Sequence, residues 1–150
     1  MTTKTEEPCS IARSLEVVGE RWTFLIVREA LAGVTRFAEF RDNLKVAPDV
    51  LSDRLATLVD AGVMEKRPYR EPGSRARFSY HLTPAGMDLR LVLGALQQWG
   101  DVHRPREDGP TIIRRSAGED RPVNVAFVDD TGAVVPLERV EFRRTAAYPA

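Results

Sequence analysis

The apolar positions in the first part of the chain recur at helical spacing. The earliest are three or four residues apart, at Ile11, Leu15 and Val18. This spacing predicts an amphipathic helix over residues 9–18. A second apolar stripe predicts a helix over residues 21–31, and Gly33 suits the left-handed position that often follows a helix end.

Two shorter helices are predicted next, over residues 36–44 and 48–61. The first has its apolar side chains at Phe37, Phe40 and Leu44, and the second has an inward stripe of Leu51, Leu55 and Leu58. Pro48 occupies the first position of the second helix, where its missing N–H costs nothing. Ala47 lacks the side-chain oxygen of a good N-cap, which costs about 1 kcal/mol of helix stability.

From residue 63 the period changes from helical to alternating, which is typical of strands. One side of the alternation consists of Ala76, Phe78, Tyr80 and Leu82, and the other consists of Arg75, Arg77, Ser79 and His81. The Pro-Gly pair at 72–73 marks a turn within residues 71–74. The pattern therefore predicts a β-hairpin with a basic outer face.

The residues after the hairpin predict a long helix and then a region of short strands. Thr83 and Pro84 are expected to be the N-cap and first residue of a helix that runs to about His103. Its apolar positions are Met87, Leu91, Leu93, Leu96 and Trp99. Residues 104–110 have the composition of a linker. Short strands are predicted at 111–115, 123–128, 133–135 and 140–144, with a turn at 129–132.

Two short helices followed by a hairpin and another helix form the arrangement of a winged helix-turn-helix domain. We predict an α+β fold in which residues 1–8 are a flexible N-terminus, residues 9–103 form the winged helix domain, residues 104–110 are a linker and residues 111–145 form a small β appendage. The second helix of the pair buries its leucine stripe and leaves its other side free for a DNA major groove about 12 Å wide.

The charge of the whole chain hides a local basic cluster. The chain has 150 residues, and its 22 Lys and Arg residues balance its 22 Asp and Glu residues. Phosphate binding requires basic residues on one surface rather than an overall surplus. The hairpin has such a set in Lys66, Arg67, Arg70, Arg75 and Arg77, against only Glu65 and Glu71. This local excess favours a nucleic-acid partner.

Other features narrow the class of protein. No apolar stretch approaches the roughly 20 residues of a membrane-spanning helix, and residues 1–8 lack the apolar core of a secretion signal. The single cysteine suits a reducing compartment, so we expect a cytoplasmic protein without a membrane partner. No phosphate-binding loop is present, and His81 and His103 lack partners for acid–base chemistry. We therefore expect neither an enzyme nor a bound cofactor.

Several separated motifs then occur in a recognisable order. They are CSIARSL at 9–15, GERWT at 19–23, IVRE at 26–29, Arg36-Phe37 with Phe40, LSDRL at 51–55, DAGV at 60–63, YHLT at 80–83 and Gly86. In this series the chain resembles the HxlR family of MarR-like winged helix-turn-helix transcriptional regulators. The resemblance covers roughly residues 9–103.

The resemblance implies a homodimer that binds double-stranded DNA at a pseudo-palindromic operator and regulates transcription, repression being the commoner outcome. It also implies that the first and last helices of the winged helix domain are dimerisation helices. The residues expected at that interface are Ile11, Leu15, Leu91, Leu96 and Trp99. Trp22 and Trp99 belong either to the core or to this interface.

The expected DNA contacts fall on three elements. Arg36 opens the first helix of the motif, near the end of the helix dipole that attracts phosphate, and Arg41 is a further expected contact on the same helix. On the second helix, the expected contacts are Pro48, Asp49, Ser52, Asp53, Arg54 and Thr57, of which Ser52 and Thr57 can donate to or accept from bases. The hairpin contributes Lys66, Arg67, Arg70, Arg75 and Arg77 through phosphate or minor-groove contacts.

Each of these assignments has a structural alternative. Arg36 and the hairpin cations could be ordinary solvated charges, and Arg54 could form a salt bridge within the chain. Asp49 suits the first turn of a helix because an acid there complements the dipole. Asp53 could accept from cytosine N4 or pair with a nearby arginine. Both aspartates should weaken nonspecific affinity because they repel phosphate.

Cys9 is a candidate redox sensor. It is predicted to lie at the start of the first helix, where the dipole favours the reactive thiolate. Its position matches the cysteine with which thiol-sensing members of the family detect oxidants or electrophiles. Those sensors often use a second cysteine across the dimer, which this chain lacks, so a Cys9–Cys9 bridge between copies or an adduct with a small thiol or electrophile remains. The alternative is a half-buried residue without a sensing role.

The appendage after residue 111 resembles the zinc-ribbon-like tail of some members of the family. A structural zinc site needs four cysteine or histidine ligands, and neither residue type occurs after His103, so we expect no metal. The appendage could pack on the core, line a pocket for a small-molecule effector or extend the dimer. The competing function is a winged helix that binds a protein or an effector with little or no DNA affinity.

Overall fold

The computed structural model describes residues 7–148 and has the predicted α+β fold. Its elements are the helices α1 (Ser10–Val18), α2 (Arg21–Leu31), α3 (Phe37–Leu44) and α4 (Pro48–Asp60), the strands β1 (Met64–Tyr69) and β2 (Arg77–Leu82), helix α5 (Pro84–His103), the strands β3 (Phe127–Val128) and β4 (Val134–Val135), and a 3-10 turn at Leu137–Arg139. The predicted helices are confirmed to within two residues at each end. Most of the predicted flexible N-terminus, residues 1–6, lies outside the described residues.

The chain consists of two compact units. The first extends to Arg90 and contains α1 to α4, the hairpin and the start of α5. The second extends from Leu91 to Tyr148 and contains the rest of α5 and the residues that follow. The boundary therefore falls inside a helix rather than in the predicted linker 104–110, and each unit is described by itself below.

The core of the first unit comes from all four of its short helices and the base of the hairpin. Its buried apolar side chains are Val18, Ile26, Val27, Phe40, Leu44, Val46, Leu51, Leu55, Leu58, Val63 and Met64. The predicted inward stripe of α4 is confirmed, because all three of its leucines are fully buried. This burial fixes which side of α4 remains at the surface.

The hairpin that follows α4 is confirmed, and it has a third strand segment that the sequence did not predict. β1 and β2 pair antiparallel, from Met64 opposite Leu82 to Tyr69 opposite Arg77. The Tyr80 N–H donates to the Thr35 carbonyl at 2.7 Å, and Arg36 bridges Ser79. The hairpin is therefore tied to the residues just before α3, although two residues are too short for a periodic signal.

Thr83 and Gly86 join the start of α5 to the base of the hairpin. The Gly86 N–H donates to the Thr83 hydroxyl at 3.2 Å, which confirms the predicted N-cap. The same hydroxyl donates to the Gly62 carbonyl at 2.6 Å. A Cβ at residue 86 would lie 2.2 Å from the Val63 carbonyl oxygen, so only glycine allows this approach.

The second unit packs its tail onto α5 through side-chain amides. The Gln98 amide donates to the Val125 carbonyl at 3.0 Å and accepts from the Val125 N–H at 2.9 Å. The Gln97 amide donates to the Ile112 carbonyl at 2.6 Å. Gly94 leaves room for this contact, because a Cβ there would already lie 3.3 Å from Val125 Cγ2.

The predicted strands of the tail are mostly wrong. The only regular pair among the described tail residues is β3 with β4, around the predicted turn at 129–132. There the Thr131 hydroxyl and nearby backbone N–H groups donate to the Asp129 carboxylate and lower the pKa of Asp129. Residues 111–115 and 123–126 form no ladder beyond one bridge between Arg115 and Pro122, and residues 140–144 form none. The glutamines of α5 take the backbone groups of Ile112 and Val125 that a ladder would use.

Candidate nucleic-acid interface

The exposed side of α4 presents hydroxyl and carboxylate groups. With its leucine stripe buried, α4 exposes Asp49, Ser52 and Asp53, while Arg54 and Thr57 are half-buried. Pro48 is at the start of the helix and Ala47 caps it without a side-chain hydrogen bond, both as predicted. The helix therefore offers short polar groups toward solvent over its first two turns.

The carboxylates of α4 have no cationic partner. Neither Asp49 nor Asp53 forms an ion pair with any residue between 7 and 148, so the expected alternative of an Asp53–arginine pair is not found. The Thr57 hydroxyl donates to the Asp53 carbonyl at 3.0 Å. The Thr57 hydroxyl can therefore only accept a further hydrogen bond. Of the two roles toward a base that the sequence allowed, donor and acceptor, only the acceptor role remains.

Arg54 and the cations of α3 differ in whether their charge is already balanced. Arg54 forms no hydrogen bond or ion pair within the described part of the chain, so the alternative of an internal salt bridge is not observed. Arg41 pairs with Asp42 at 2.8 Å. A paired arginine retains less attraction for phosphate than a free one.

Arg36 precedes α3 instead of opening it, which corrects the predicted start of the helix. Its backbone is extended, with φ −100° and ψ 140°, because it pairs with β2. Its guanidinium lies 4.7 Å from the centre of the Tyr69 ring and 2.5 Å from the Glu71 carboxylate. Arg36 therefore joins α3 to the hairpin, and its charge is balanced by Glu71.

The hairpin does not have the single basic face that the sequence predicted. The register places Lys66 opposite Tyr80 and Arg67 opposite Ser79, and neighbouring positions on a strand point to opposite faces. The predicted basic face was based on the alternation of residues along β2, and the alternation along β1 was not considered. Phe78, expected to point inward, is 50% exposed, because the outer part of the hairpin extends beyond the core.

Some of the hairpin cations contact other groups of the chain, and others do not. Lys66 Nζ lies 5.1 Å from the centre of the Phe78 ring, Arg67 pairs with Glu65, and Arg70 donates to the Ser74 carbonyl at 2.9 Å. Within residues 7–148, Arg75 and Arg77 have no such partner, and both are exposed. Arg75 and Arg77 are therefore the hairpin cations without a contact in this range, whereas Lys66 and Arg70 contact neutral groups and keep their net charge.

The polar residues at the base of β2 are partly buried rather than solvated. Ser79 Oγ and His81 Nε2 lie 2.8 Å apart in a hydrogen bond. Burial raises the pKa of the neighbouring Tyr80 above its ordinary value, so its phenol carries no charge at neutral pH. The basic cluster of the hairpin therefore gains no compensating anion from Tyr80.

Helices α1 and α5 each expose an apolar stripe. Ile11 is 65% and Leu15 is 54% exposed on α1, and Leu91, Leu96 and Trp99 are 66%, 53% and 54% exposed on α5. Trp99 is therefore not a core residue of the single chain. These side chains are therefore available for the predicted interface between copies, which stays a prediction.

Cys9 lies where the sequence predicted it. It is the N-cap of α1 and half-buried, and its N–H donates to the Glu7 carboxylate at 3.0 Å. Arg13 donates to the Glu7 and Pro8 carbonyls at 2.8 and 2.7 Å. Residues 7 and 8 are thus held against α1, at variance with the flexible N-terminus predicted for residues 1–8.

Two further features bear on ligands, and a third bears on membranes. The second unit has a cavity of about 260 Å³ where α5 meets the following loop, between Asp101, Arg104 and Thr111, which is at the small end for ligand pockets. The described residues hold no cluster of His, Cys, Asp and Glu suited to a metal ion. In the same range, no helix is long and apolar enough to cross a membrane.

Comparisons with known proteins agree with this geometry. The HxlR-like helix-turn-helix family matches residues 17–108. An HTH-type transcriptional regulator of Mycobacterium tuberculosis is 47% identical over 106 residues, which are 71% of this chain and 66% of that protein. The chain thus spans slightly less than two thirds of this relative. The HTH-type transcriptional regulator YodB of Bacillus subtilis is 27% identical over 89 residues, 59% of this chain and 78% of YodB.

Solved structures resemble the chain along most of its length. The crystal structure of the transcription factor PA1607 superposes with a TM-score of 0.80 at 33% identity and covers 93% of this chain and 97% of its own. The transcription factor PA1374 of Pseudomonas aeruginosa gives a TM-score of 0.66 at 39% identity and covers 94% and 95%. These proteins are named as transcriptional regulators or transcription factors, not as enzymes.

Proposed function

Because the chain belongs to the HxlR-like helix-turn-helix family, we propose that it is a transcriptional regulator that binds specific double-stranded DNA as a homodimer. One observation carries the proposal: apart from the Thr57–Asp53 hydrogen bond, the expected DNA contacts on the polar side of α4 have no side-chain partner within residues 7–148, and in the same range the adjoining hairpin cations Arg75 and Arg77 have none. A helix with a free polar face beside a basic hairpin fits a major groove and its flanking phosphates.

In the proposed complex, α4 enters the major groove and the hairpin lies on the flanking DNA. The Ser52 hydroxyl donates to or accepts from a base edge, and the Thr57 oxygen accepts. Arg54, Arg75 and Arg77 neutralise phosphates, and their lack of internal partners means that no ion pair must break first. Arg36, Arg41, Lys66, Arg67 and Arg70 contribute less, because each already has an internal contact.

The homodimer is proposed from the apolar stripes of α1 and α5. A second copy would cover residues such as Ile11, Leu91 and Trp99. Their burial would stabilise the dimer by about 25 cal/mol for each Å² of apolar surface removed from water. Two copies related by a twofold axis place two α4 helices about one DNA turn apart, so the operator is a pseudo-palindrome. Repression is the proposed outcome because it is the commoner one in the family.

The DNA partner is tested with the DNA upstream of the gene for this chain. A mobility-shift titration should show retention that weakens steeply between about 50 and 200 mM salt, because bound phosphates release counterions. A footprint on the same fragment should protect two half-sites. Retention that does not change with salt, or no retention with duplex DNA, would contradict the proposal.

The dimer is tested by sedimentation of wild type and of Leu91→Asp. The substitution places a charge in the stripe and should shift the mass from two chains to one, with a matching loss of operator binding. Val134→Asp is the matched control, because Val134 is equally exposed at 69% but lies in the tail. If Leu91→Asp keeps the mass of the wild type, α5 is not the interface.

A second candidate function is supported by the acidic residues of α4. Asp49 and Asp53 repel phosphate, and the chain as a whole carries no net charge, so a winged helix that binds a protein or an effector instead of DNA is the alternative. The mobility shift separates the two, since an interaction module of this kind would leave duplex DNA unshifted.

We also propose that Cys9 adjusts DNA binding in response to oxidants. Two Cys9 thiols of a dimer can lose two protons and two electrons to diamide and form one disulfide. YodB, a relative, has been solved in a form described as reduced. Diamide should change the mobility shift of the wild type and leave Cys9→Ser unaffected. An equal response of both proteins would remove Cys9 from the mechanism.

A further inference from the structure

Two non-glycine residues between 7 and 148 have left-handed backbone conformations: Lys45 with φ 52° and Asp120 with φ 53°. Residues with a Cβ adopt this region rarely and at an energetic cost, and asparagine and aspartate do so more readily than lysine. A lysine in this conformation therefore requires an explanation that glycine would not.

Local contacts account for Asp120. Its carboxylate and its carbonyl oxygen both accept hydrogen bonds from the Arg115 guanidinium. Its N–H donates to the Ser116 carbonyl at 3.1 Å. The side chain and the backbone of Asp120 thus stabilise the turn in which it lies.

No comparable contact accounts for the side chain of Lys45. Lys45 makes the last i→i−4 bond of α3, in which its N–H donates to the Arg41 carbonyl at 2.7 Å, and its left-handed conformation then ends the helix. Glycine would make the same backbone bond without the steric cost. The Lys45 side chain is exposed and forms no ion pair or hydrogen bond with any residue that the structure describes.

The position of Lys45 places its charge near the proposed DNA groove. It lies in the turn between α3 and α4, three residues before Pro48. Three residues of chain span at most about 11 Å, so the Lys45 backbone remains close to the start of α4. That end of α4 is acidic at Asp49, which makes a nearby cation useful on the approach to phosphate.

We propose that Lys45 binds a DNA backbone phosphate beside the groove that α4 enters. This inference rests on the proposed DNA binding of the chain. Strained backbone in native proteins concentrates at functional sites. The strained residue 45 is a lysine whose ammonium group has no partner among the described residues. Lys45 is thus a DNA contact in addition to those of α4 and the hairpin.

A structural explanation competes with this one. A cation at the end of α3 also interacts favourably with the negative end of the helix dipole. In that case Lys45 would affect the stability of the fold and leave DNA affinity unchanged. The two explanations therefore differ in which measurement responds when the ammonium group is removed.

The experiment compares Lys45→Gly, Lys45→Asn and Lys45→Arg in thermal melts and in anisotropy titrations with a labelled duplex of mixed sequence. We expect Lys45→Gly to melt no lower than wild type and to bind the duplex about 10- to 60-fold more weakly near 0.1 M salt, with a salt slope smaller by about 1.8, because the homodimer loses one cation in each protomer. Lys45→Asn tolerates the same backbone and should also bind more weakly. Lys45→Arg keeps the charge and should retain affinity and slope.

The failures can be told apart. Wild-type affinity and salt slope in both uncharged variants would overturn the role of Lys45 and leave the proposed function standing. A loss of binding in Lys45→Arg as large as in Lys45→Asn would also overturn it, because charge would not be the cause. If the wild type itself shows no salt-dependent binding to duplex DNA, the proposed function fails and this inference fails with it.

Discussion

Helix α4 and the hairpin β1–β2 are adjacent in sequence and differ in the charge they leave free. Within the described residues, the first two turns of α4 have one cation without a partner, Arg54, and two carboxylates without one, Asp49 and Asp53. The hairpin has both of its carboxylates in ion pairs, and within residues 7–148 its cations Arg75 and Arg77 have no partner. The two elements of one helix-turn-helix motif thus differ in the sign of the charged groups that they leave without a partner.

The difference indicates a division of labour. In the proposed complex, hydrogen bonds from short side chains on α4 would discriminate among bases, whereas free cations on the hairpin would supply attraction to phosphate that does not depend on sequence. The acidic groups of α4 would lower nonspecific affinity, so that a correct sequence would be needed before the helix is held in the groove. Substitutions in either element test this contrast.

The largest effect is expected where the hairpin is anchored. Gly86→Ala would place a Cβ 2.2 Å from the Val63 carbonyl oxygen, so the base of the hairpin must shift. We expect the free energy of unfolding to fall by about 2–3 kcal/mol, measured by denaturant titration. Gly100→Ala is the matched control in the same helix. It has open space around it and should stabilise the protein slightly; equal effects of the two would show that the close approach is unimportant.

Removal of the free hairpin cations should weaken DNA binding without affecting the fold. We expect Arg75→Ala combined with Arg77→Ala to lower affinity at least about tenfold near 0.1 M salt and to reduce the salt slope by up to about 3.6, because the homodimer loses four cations. Titrations with several duplex sequences should show the same loss. Arg28→Ala, an exposed arginine on α2 paired with Glu29, is the control. Unchanged binding by the double variant would exclude the hairpin from the interface.

Neutralising the acids of α4 should act in the opposite direction. We expect Asp49→Asn combined with Asp53→Asn to raise affinity for duplexes of mixed sequence about tenfold, since two groups that repel phosphate are removed. The gain for the true operator should be smaller, so specificity falls. Weaker binding to the operator would instead indicate that an aspartate accepts a hydrogen bond from cytosine.

The smallest effect is expected for a single hydroxyl on α4. We expect Ser52→Ala to weaken binding to the operator about two- to fivefold, in line with the net value of one hydrogen bond, and to leave the salt slope and the binding of mixed-sequence duplexes unchanged. The measurement is a competition titration between the two kinds of duplex. An equal loss on both would assign Ser52 to the phosphate backbone.

The sequence predicted those parts of the molecule that depend on periodic burial. The leucine stripe of α4, the hairpin, the Thr83 N-cap and the exposure of Ser52 all follow from the spacing of apolar residues and from capping residues. The resemblance to known regulators placed the same elements in order. These features are local, and each has a signal several residues long.

The features that the sequence did not predict depend on single contacts between distant residues. The tail was expected to form a sheet, but Gln97 and Gln98 on α5 occupy the backbone groups of Ile112 and Val125. Arg36 was expected to be free for phosphate, and it is held by Glu71, 35 residues away. Such pairs leave no periodic signal in the sequence.

Affinity cleavage from two tethers tests the placement of α4 and the hairpin most directly. In a Cys9→Ser background, Ser52→Cys or Arg75→Cys offers a single thiol for a DNA-cleaving iron chelate. We expect cuts from the α4 tether inside two half-sites whose centres are about 34–36 Å apart, and cuts from the hairpin tether on the flanks outside them. Coincident cuts from both tethers, or none from α4 on a bound duplex, would contradict a recognition helix in the groove beside a flanking hairpin.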